Sequence, residues 1–198
     1  MRARLISLAA FAGLLILPST SHAAHHLWRF TQLFSNASGS TQFAEMFTND
    51  QGETALGSFT IVSGGNTLSF VTNLTPVTGT RTNNWLLVAT SNFQALAGGV
   101  QPDYIIPANF FPTGGGTLNY ASSTDIWTFG TVPTDGVHSL MRDGTTPVNS
   151  PINFAGTGGS VNLTTAVPAV PTFAIALLVG ALLLAGSGLL RRRRSSAA

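Results

Sequence analysis

Between Ala24 and Val170 no stretch keeps an apolar helical period over three turns; short apolar runs alternate with clusters of Gly, Ser, Thr and Asn. That alternation restricts the region to strands joined by turns. In residues 27–34 the even positions Trp28, Phe30, Gln32 and Phe34 form a period-two face. Residues 41–47 follow a Ser/Asn/Gly cluster at 35–40, the composition of a hairpin connection. Residues 58–63 and 67–72 flank Gly64-Gly65-Asn66, a second hairpin signal. Residues 85–89 are continuously apolar, as in a strand covered on both faces. Further strands are expected at 117–120, 126–129 and 137–141, with turns at 114–116, Asp135-Gly136 and Asp143-Gly144. Residues 92–97 are the one helical candidate. Strands recurring every eight to twelve residues or so predict an all-β sandwich or barrel over residues 24–155.

Charge separates this body from its ends. Of nine arginines, six lie at the termini (Arg2, Arg4 and Arg191 to Arg194), and lysine is absent. Ala24 to Val170 carries three arginines against seven carboxylates, a net of −4. An acidic, lysine-free body is unsuited to neutralising phosphates, which excludes nucleic acid as an expected partner. Without cysteine there is no disulfide framework, cysteine-ligated zinc or thiol catalysis.

The ends read as addresses. Arg2 and Arg4 precede an apolar run at 5–17, Pro18 ends it, and Ser21-His22-Ala23 offers small residues for signal peptidase. Residues 1–23 are thus expected to be a signal peptide that engages Sec-type export machinery, cut after Ala23 or, as second choice, Ala24. Residues 172–190 are almost wholly apolar and would reach about 28 Å as a transmembrane helix. Arg191, Arg192, Arg193 and Arg194 then fix residues 191–198 on the cytoplasmic side, with the body outside. Residues 156–171, uncharged and rich in Gly, Thr and Pro, are expected to be a flexible linker.

The order of a Val-Pro motif, a terminal span and an arginine cluster resembles the PEP-CTERM-like sorting tails of bacterial surface proteins. Val170-Pro171-Thr172-Phe173 is similar to the variant reading Ile/Val-Pro-Thr-Leu, with Phe173 in place of leucine. The resemblance implies recognition by an exosortase-like transpeptidase that cuts near the proline motif and releases or re-attaches the body. An ordinary tail anchor would also fit the span alone.

The body in turn resembles lamin-tail-type domains. Residues 30–36 and Gln42-Phe43-Ala44-Glu45-Met46 are similar to that family's opening strands, and Leu56-Gly57-Ser58-Phe59-Thr60-Ile61 to its Leu-Ser-Gly-Trp-Thr-Leu segment. Gly116-Thr117-Leu118 and residues 125–130 fall where its later strands would, and Ser139-Leu140-Met141-Arg142 matches its closing Ser-Leu-x-Arg. Ala44 and Met46 stand where the family has Ile and Leu, and the Asn that often follows is absent. The resemblance implies an immunoglobulin-like β-sandwich acting in binding or scaffolding.

Catalytic constellations are sparse. Asp135, His138 and Ser139 are close in sequence, but adjacent strand residues point to opposite faces, so the aspartate reads as a turn residue and the histidine as a strand residue. His25 and His26 would chelate copper or nickel only with a suitably placed new amino terminus, and no stoichiometric metal or cofactor is expected. Glu45 shares a strand face with Phe43 and Phe47, so an inward Glu45 is expected to pair with Arg142 or Arg29. Trp28, Trp85 and Trp127 read as core anchors, although they also admit contact with a polysaccharide. The chain therefore reads as a non-enzymatic exported envelope or matrix protein. The rival readings are a secreted hydrolase or copper enzyme using His25, His26 or His138, and a permanently anchored assembly partner.

Overall fold

The computed structural model describes residues 25–77, 79 and 81–164. The expected signal peptide with Ala23 and Ala24, the motif Val170-Pro171-Thr172-Phe173, the span at 172–190 and Arg191 to Arg194 lie outside the described residues. Among the described residues no helix is long and apolar enough to cross a membrane.

The described chain is all-β. Its strands are β1 (Arg29–Ser35), β2 (Gln42–Thr48), β3 (Thr60–Ser63), β4 (Asn66–Ser69), β5 (Asn84–Thr90), β6 (Tyr104–Ile106), β7 (Gly116–Tyr120), β8 (Asp125–Phe129) and β9 (Leu140–Met141). They form a large sheet ordered β6-β5-β2-β1-β9 and a small sheet ordered β4-β3-β7-β8. All neighbours are antiparallel except β5 and β6. The sandwich core joins Phe30, Leu33, Ala44, Met46, Leu86 and Val88 of the large sheet to Ile61, Leu118, Tyr120, Trp127 and Phe129 of the small one. Each large side chain buried there contributes about 1.5–3 kcal/mol.

The expected single face of residues 27–34 does not run the length of β1. A bulge between Phe30 and Gln32 sets Phe30 opposite Met46 but Gln32 opposite Glu45. One extra residue exchanges the faces. Trp28 and Phe30 point into the core, after which Leu33 takes over that side and Phe34 stacks on Phe43 on the other, with centroids 5.3 Å apart.

That second face of the large sheet is also dry. Leu87 and Ala89, paired with Glu45 and Phe43, are fully buried, so β5 is covered on both sides as its continuous apolar run requires. Two irregular segments supply the cover. One is a 3-10 turn, Phe93–Ala95, where residues 92–97 suggested a helical piece; Phe93 meets Phe34 and Phe43 edge-on. The other is the chain from Thr145 to Val161, which lies against the sheet as a strap.

The strap corrects the expected linker boundary. Residues 156–161, read as the start of a flexible stalk, are bonded into the domain: Gly156 N–H to Asn153 O, Gly159 N–H to Pro151 O, Ser160 N–H to Gly98 O, and Val161 N–H to Asn149 Oδ1. Val161 is buried. Residues 165–171 lie outside the described residues.

The strand expected at 137–141 contracts to β9. Asp135 Oδ1 accepts the N–H groups of Val137 and His138, and the chain there makes only an isolated bridge between His138 and Val148. The three-residue β6 was not foreseen; it follows Pro102 and is too short to show an alternation.

Candidate functional site: a neutral cleft at one end of the sandwich

Three turns converge beyond the ends of β1 and β3. In the β1–β2 connection, the Asn36 side chain bonds Ser40 Oγ and Thr41 N–H, and Gly39 adopts φ +67°. The second turn is Gly64-Gly65 between β3 and β4, with Gly64 at φ +57°. The third is the chain leading from β6 to β7, which passes from the large sheet to the small one.

The turns hold one another closely. Asn109 N–H donates to Gly39 O at 2.8 Å; the φ of +67° favours glycine here, and a Cβ would also push the Asn109 side chain aside. Asn66 Nδ2 donates to the carbonyls of Asn109 and Phe110 at 3.0 and 2.9 Å, tying the β3–β4 turn to the third turn. Between them lies a cleft of about 540 Å³ whose lining includes Ser38, Ser63, Asn66, Asn109, Thr113 and Gly114. No residue of that lining is ionisable.

Ser63 is the unusual member. It shares the inward face of β3 with Ile61, two residues earlier, and is 1 % exposed. Its hydroxyl has no hydrogen-bond partner among the described residues. Burying a hydroxyl in that way costs about 1–3 kcal/mol. Among the lining residues it is the one whose side-chain oxygen is both buried and unpaired, and that oxygen is closed off from the cleft.

The groups singled out from the sequence are placed elsewhere. His138 Nδ1 lies 2.6 Å from Asp135 Oδ2, so these two residues are brought together, although they read as an unrelated turn aspartate and strand histidine. Bonds from the His138 backbone and ring hold the Asp135 carboxyl down to about 2. Ser139 is no third member. It is fully buried and bonds Gln32 Nε2 and Pro147 O.

His25 and His26 precede β1, whereas Asp135 bridges to Asn36 beyond its far end. About 20 Å of strand separates them. His25 stacks on Phe59 at 3.5 Å, and desolvation lowers its pKa. His26 Nδ1 is 3.8 Å from Glu53 Oε1, a buried oxygen without a hydrogen bond, while Glu53 Oε2 accepts Leu27 N–H. Among the described residues no three His, Asp or Glu side chains gather as a metal-ion group.

Glu45 does not pair with an arginine. Its Oε1 accepts Thr31 Oγ1–H at 3.0 Å and its Oε2 accepts Ile152 N–H at 2.7 Å; burial outweighs both and pushes the carboxyl up to about 7. Arg142 and Arg29 face Asp125 instead, at 2.7 and 3.9 Å. Asp125 also accepts Phe30 N–H, and Arg142 reaches the carbonyls of Phe30 and Ile126, so this cluster ties β1 to β8 across the sandwich. Alternation along β2 explains the misassignment: Ala44 and Met46 enter the core, so Glu45 between them faces the other side, under the strap and away from Phe30.

Asp103 is a second buried carboxylate with a structural task. It accepts Leu87 N–H and Phe154 N–H, linking β5 to the strap, and desolvation raises it to about 6. Of the tryptophans, Trp28 and Trp127 are core anchors, and Trp85 is half-buried against Phe47.

The cleft residues Ser63, Asn66 and Asn109 were not among the expected site residues. Their turns announced themselves by Gly and Asn, but only the folded topology brings them together. No family model, curated protein or solved structure matches this chain.

Proposed function

We propose that this chain is a non-enzymatic exported protein of the cell envelope or extracellular matrix, serving a structural, adhesive or matrix-binding role. In this reading a PEP-CTERM-like tail delivers it. Signal peptidase and the Sec-type machinery act on the first 23 residues, and an exosortase-like transpeptidase acts at Val170-Pro171-Thr172-Phe173. The finer fold assignment, an immunoglobulin-like sandwich of lamin-tail type, belongs to the same proposal. Its support is the pair of packed sheets together with the order of motifs from Phe30 to Arg142.

The observation that carries the reading is where the ionisable side chains are spent. Glu45, Asp103 and Asp125 hold backbone amides, and the histidines divide between opposite ends of β1. Such a distribution favours a scaffold over the rival hydrolase or copper enzyme. The permanently anchored alternative differs only in the fate of the tail.

Replacing Arg191 to Arg194 with serine tests the delivery step. Impaired retention or processing is expected, with the β-domain still folded by circular dichroism. Handling indistinguishable from wild type would remove the tail from the account.

A further inference from the structure

We propose that the β4 edge of the small sheet pairs with the same edge of a second copy of this chain, the two strands running antiparallel about a two-fold axis through Ser69. The pairing goes beyond the envelope or matrix reading above and needs none of it.

Each sheet ends in two edge strands, and three of these four are guarded. On β8 the Arg142 guanidinium occupies the Ile126 carbonyl. β6 has three residues and lies between Pro102 and Pro107, and β9 has only two residues. Short strands, prolines and placed charges are the usual means of keeping an edge from recruiting another strand. β4 lacks them: Asn66-Thr67-Leu68-Ser69 runs on into Phe70 and Val71 without a charge or a proline. Phe70 N–H donates to Phe59 O, and Phe70 O accepts Ser58 N–H, so Phe70 spends both groups on the β3 side. Alternation then turns the N–H and C=O groups of Thr67, Ser69 and Val71 outward. Among the described residues β4 pairs only with β3, which leaves that outer row unpaired. Val71, at its end, is 86 % exposed, more than any other large apolar side chain described.

The surroundings select a second copy as the occupant. Residues 54–80 and 104–124 hold no Asp, Glu, Lys, Arg or His, and they supply β3, β4, β6 and β7. A body of net −4 repels its own copies over most approaches, but copies meeting at β4 bring no like charges together. A foreign acidic or basic strand would find no counter-charge there, and the short side chains of Thr67 and Ser69 form no pocket to select one. A copy fits by symmetry. With Ser69 facing Ser69, Thr67 of each copy faces Val71 of the other, and their methyl groups cover one another across about six backbone hydrogen bonds. A ladder of that length buries less surface than a standard interface, so the pair is weak and is detected best by trapping it.

The chain has no cysteine, so a single introduced thiol reports the pairing. Facing Ser69 positions would stand about 5.5 Å apart at Cα, within disulfide reach. Purified full-length Ser69→Cys in detergent, mildly oxidised, is expected to form a disulfide-linked dimer at least five-fold faster than Thr128→Cys. Thr128 is likewise exposed, on the opposite edge strand of the same sheet.

Adding Thr67→Pro to Ser69→Cys should slow the link at least five-fold. The Thr67 N–H points away from β3, so the proline removes an outward donor and leaves the β3 ladder intact, with an unchanged circular dichroism spectrum. Val71→Glu leaves the backbone untouched at an exposed position and should slow the link at least three-fold; it decides the matter if the proline variant unfolds. Equal rates for Ser69→Cys and Thr128→Cys overturn the proposal, because collision alone then makes the link. So does a link insensitive to both edge variants, which would assign the association to another part of the chain. Capture of a different protein by Ser69→Cys in oxidised intact cells, in preference to a second copy, overturns it as well.

Discussion

Glu45 shows how little a residue's type says until its neighbours are known. From the sequence, a carboxylate between Phe43 and Phe47 should need an arginine. The fold instead gives it Thr31 Oγ1–H and Ile152 N–H, and burial favours its neutral form. Because its pKa is raised from 4.5 to about 7 on folding, the folded state holds a proton that the unfolded state releases over that interval. Its stabilising contribution is therefore complete below about pH 4.5 and is lost as pH rises through 7. Asp103, raised to about 6, acts in the same direction. Glu45→Gln keeps the shape, can accept Ile152 N–H through Oε1 and offers Thr31 a donor. It should raise stability by on the order of 1–3 kcal/mol at pH 8, change little at pH 4.5, and flatten the profile between them. Chemical denaturation across that range checks it; a variant less stable than wild type at pH 8 would mean that Glu45 is held charged. The core aromatics were more legible than Glu45, because apolar periodicity reports burial directly. A carboxylate's partner depends on bulge and register, which no local pattern encodes.

At the scale of elements, the short apolar segments between turn clusters became the strands expected of them, including β2, β5, β7 and β8. Segments whose order comes from tertiary contacts were misread. The strap is the clearest instance. Residues 156–161 have the composition of a linker, yet the large sheet's outer face, with Phe34, Phe43, Leu87 and Ala89, is too apolar to meet water and recruits them. Asn149 is the strap's main fastening. Its side chain donates to Val137 O and Val161 O and accepts Val161 N–H while almost fully buried. Asn149→Ala should cost about 2–4 kcal/mol in chemical denaturation, because three bonds go and their partners stay buried. A loss below about 0.5 kcal/mol, the level of an ordinary surface change, would show that the strap is not part of the cooperative unit. The cleft was illegible for the same reason. Gly39, Gly64-Gly65 and Asn109 each mark a local turn, and their meeting depends on which strands pair.

For the whole molecule, the account separates a strand-built cargo from two terminal addresses. The cargo carries a net −4 and spends its few charges on internal fastening, while six arginines sit at the ends. The strap sharpens that division. With residues through Val161 bonded into the domain, fewer residues than the sequence suggested would separate a folded body from the proposed cutting motif at 170–173. Export, processing and matrix binding meet in one quantity, the covalent form of the chain in each compartment. Intact mass measurement of the native protein by cell fraction reads both termini at once. The account predicts a chain beginning at Ala24 or His25, with a form shortened near Pro171 recovered outside the membrane. A full-length product in the cytosol, still carrying Met1, would contradict it.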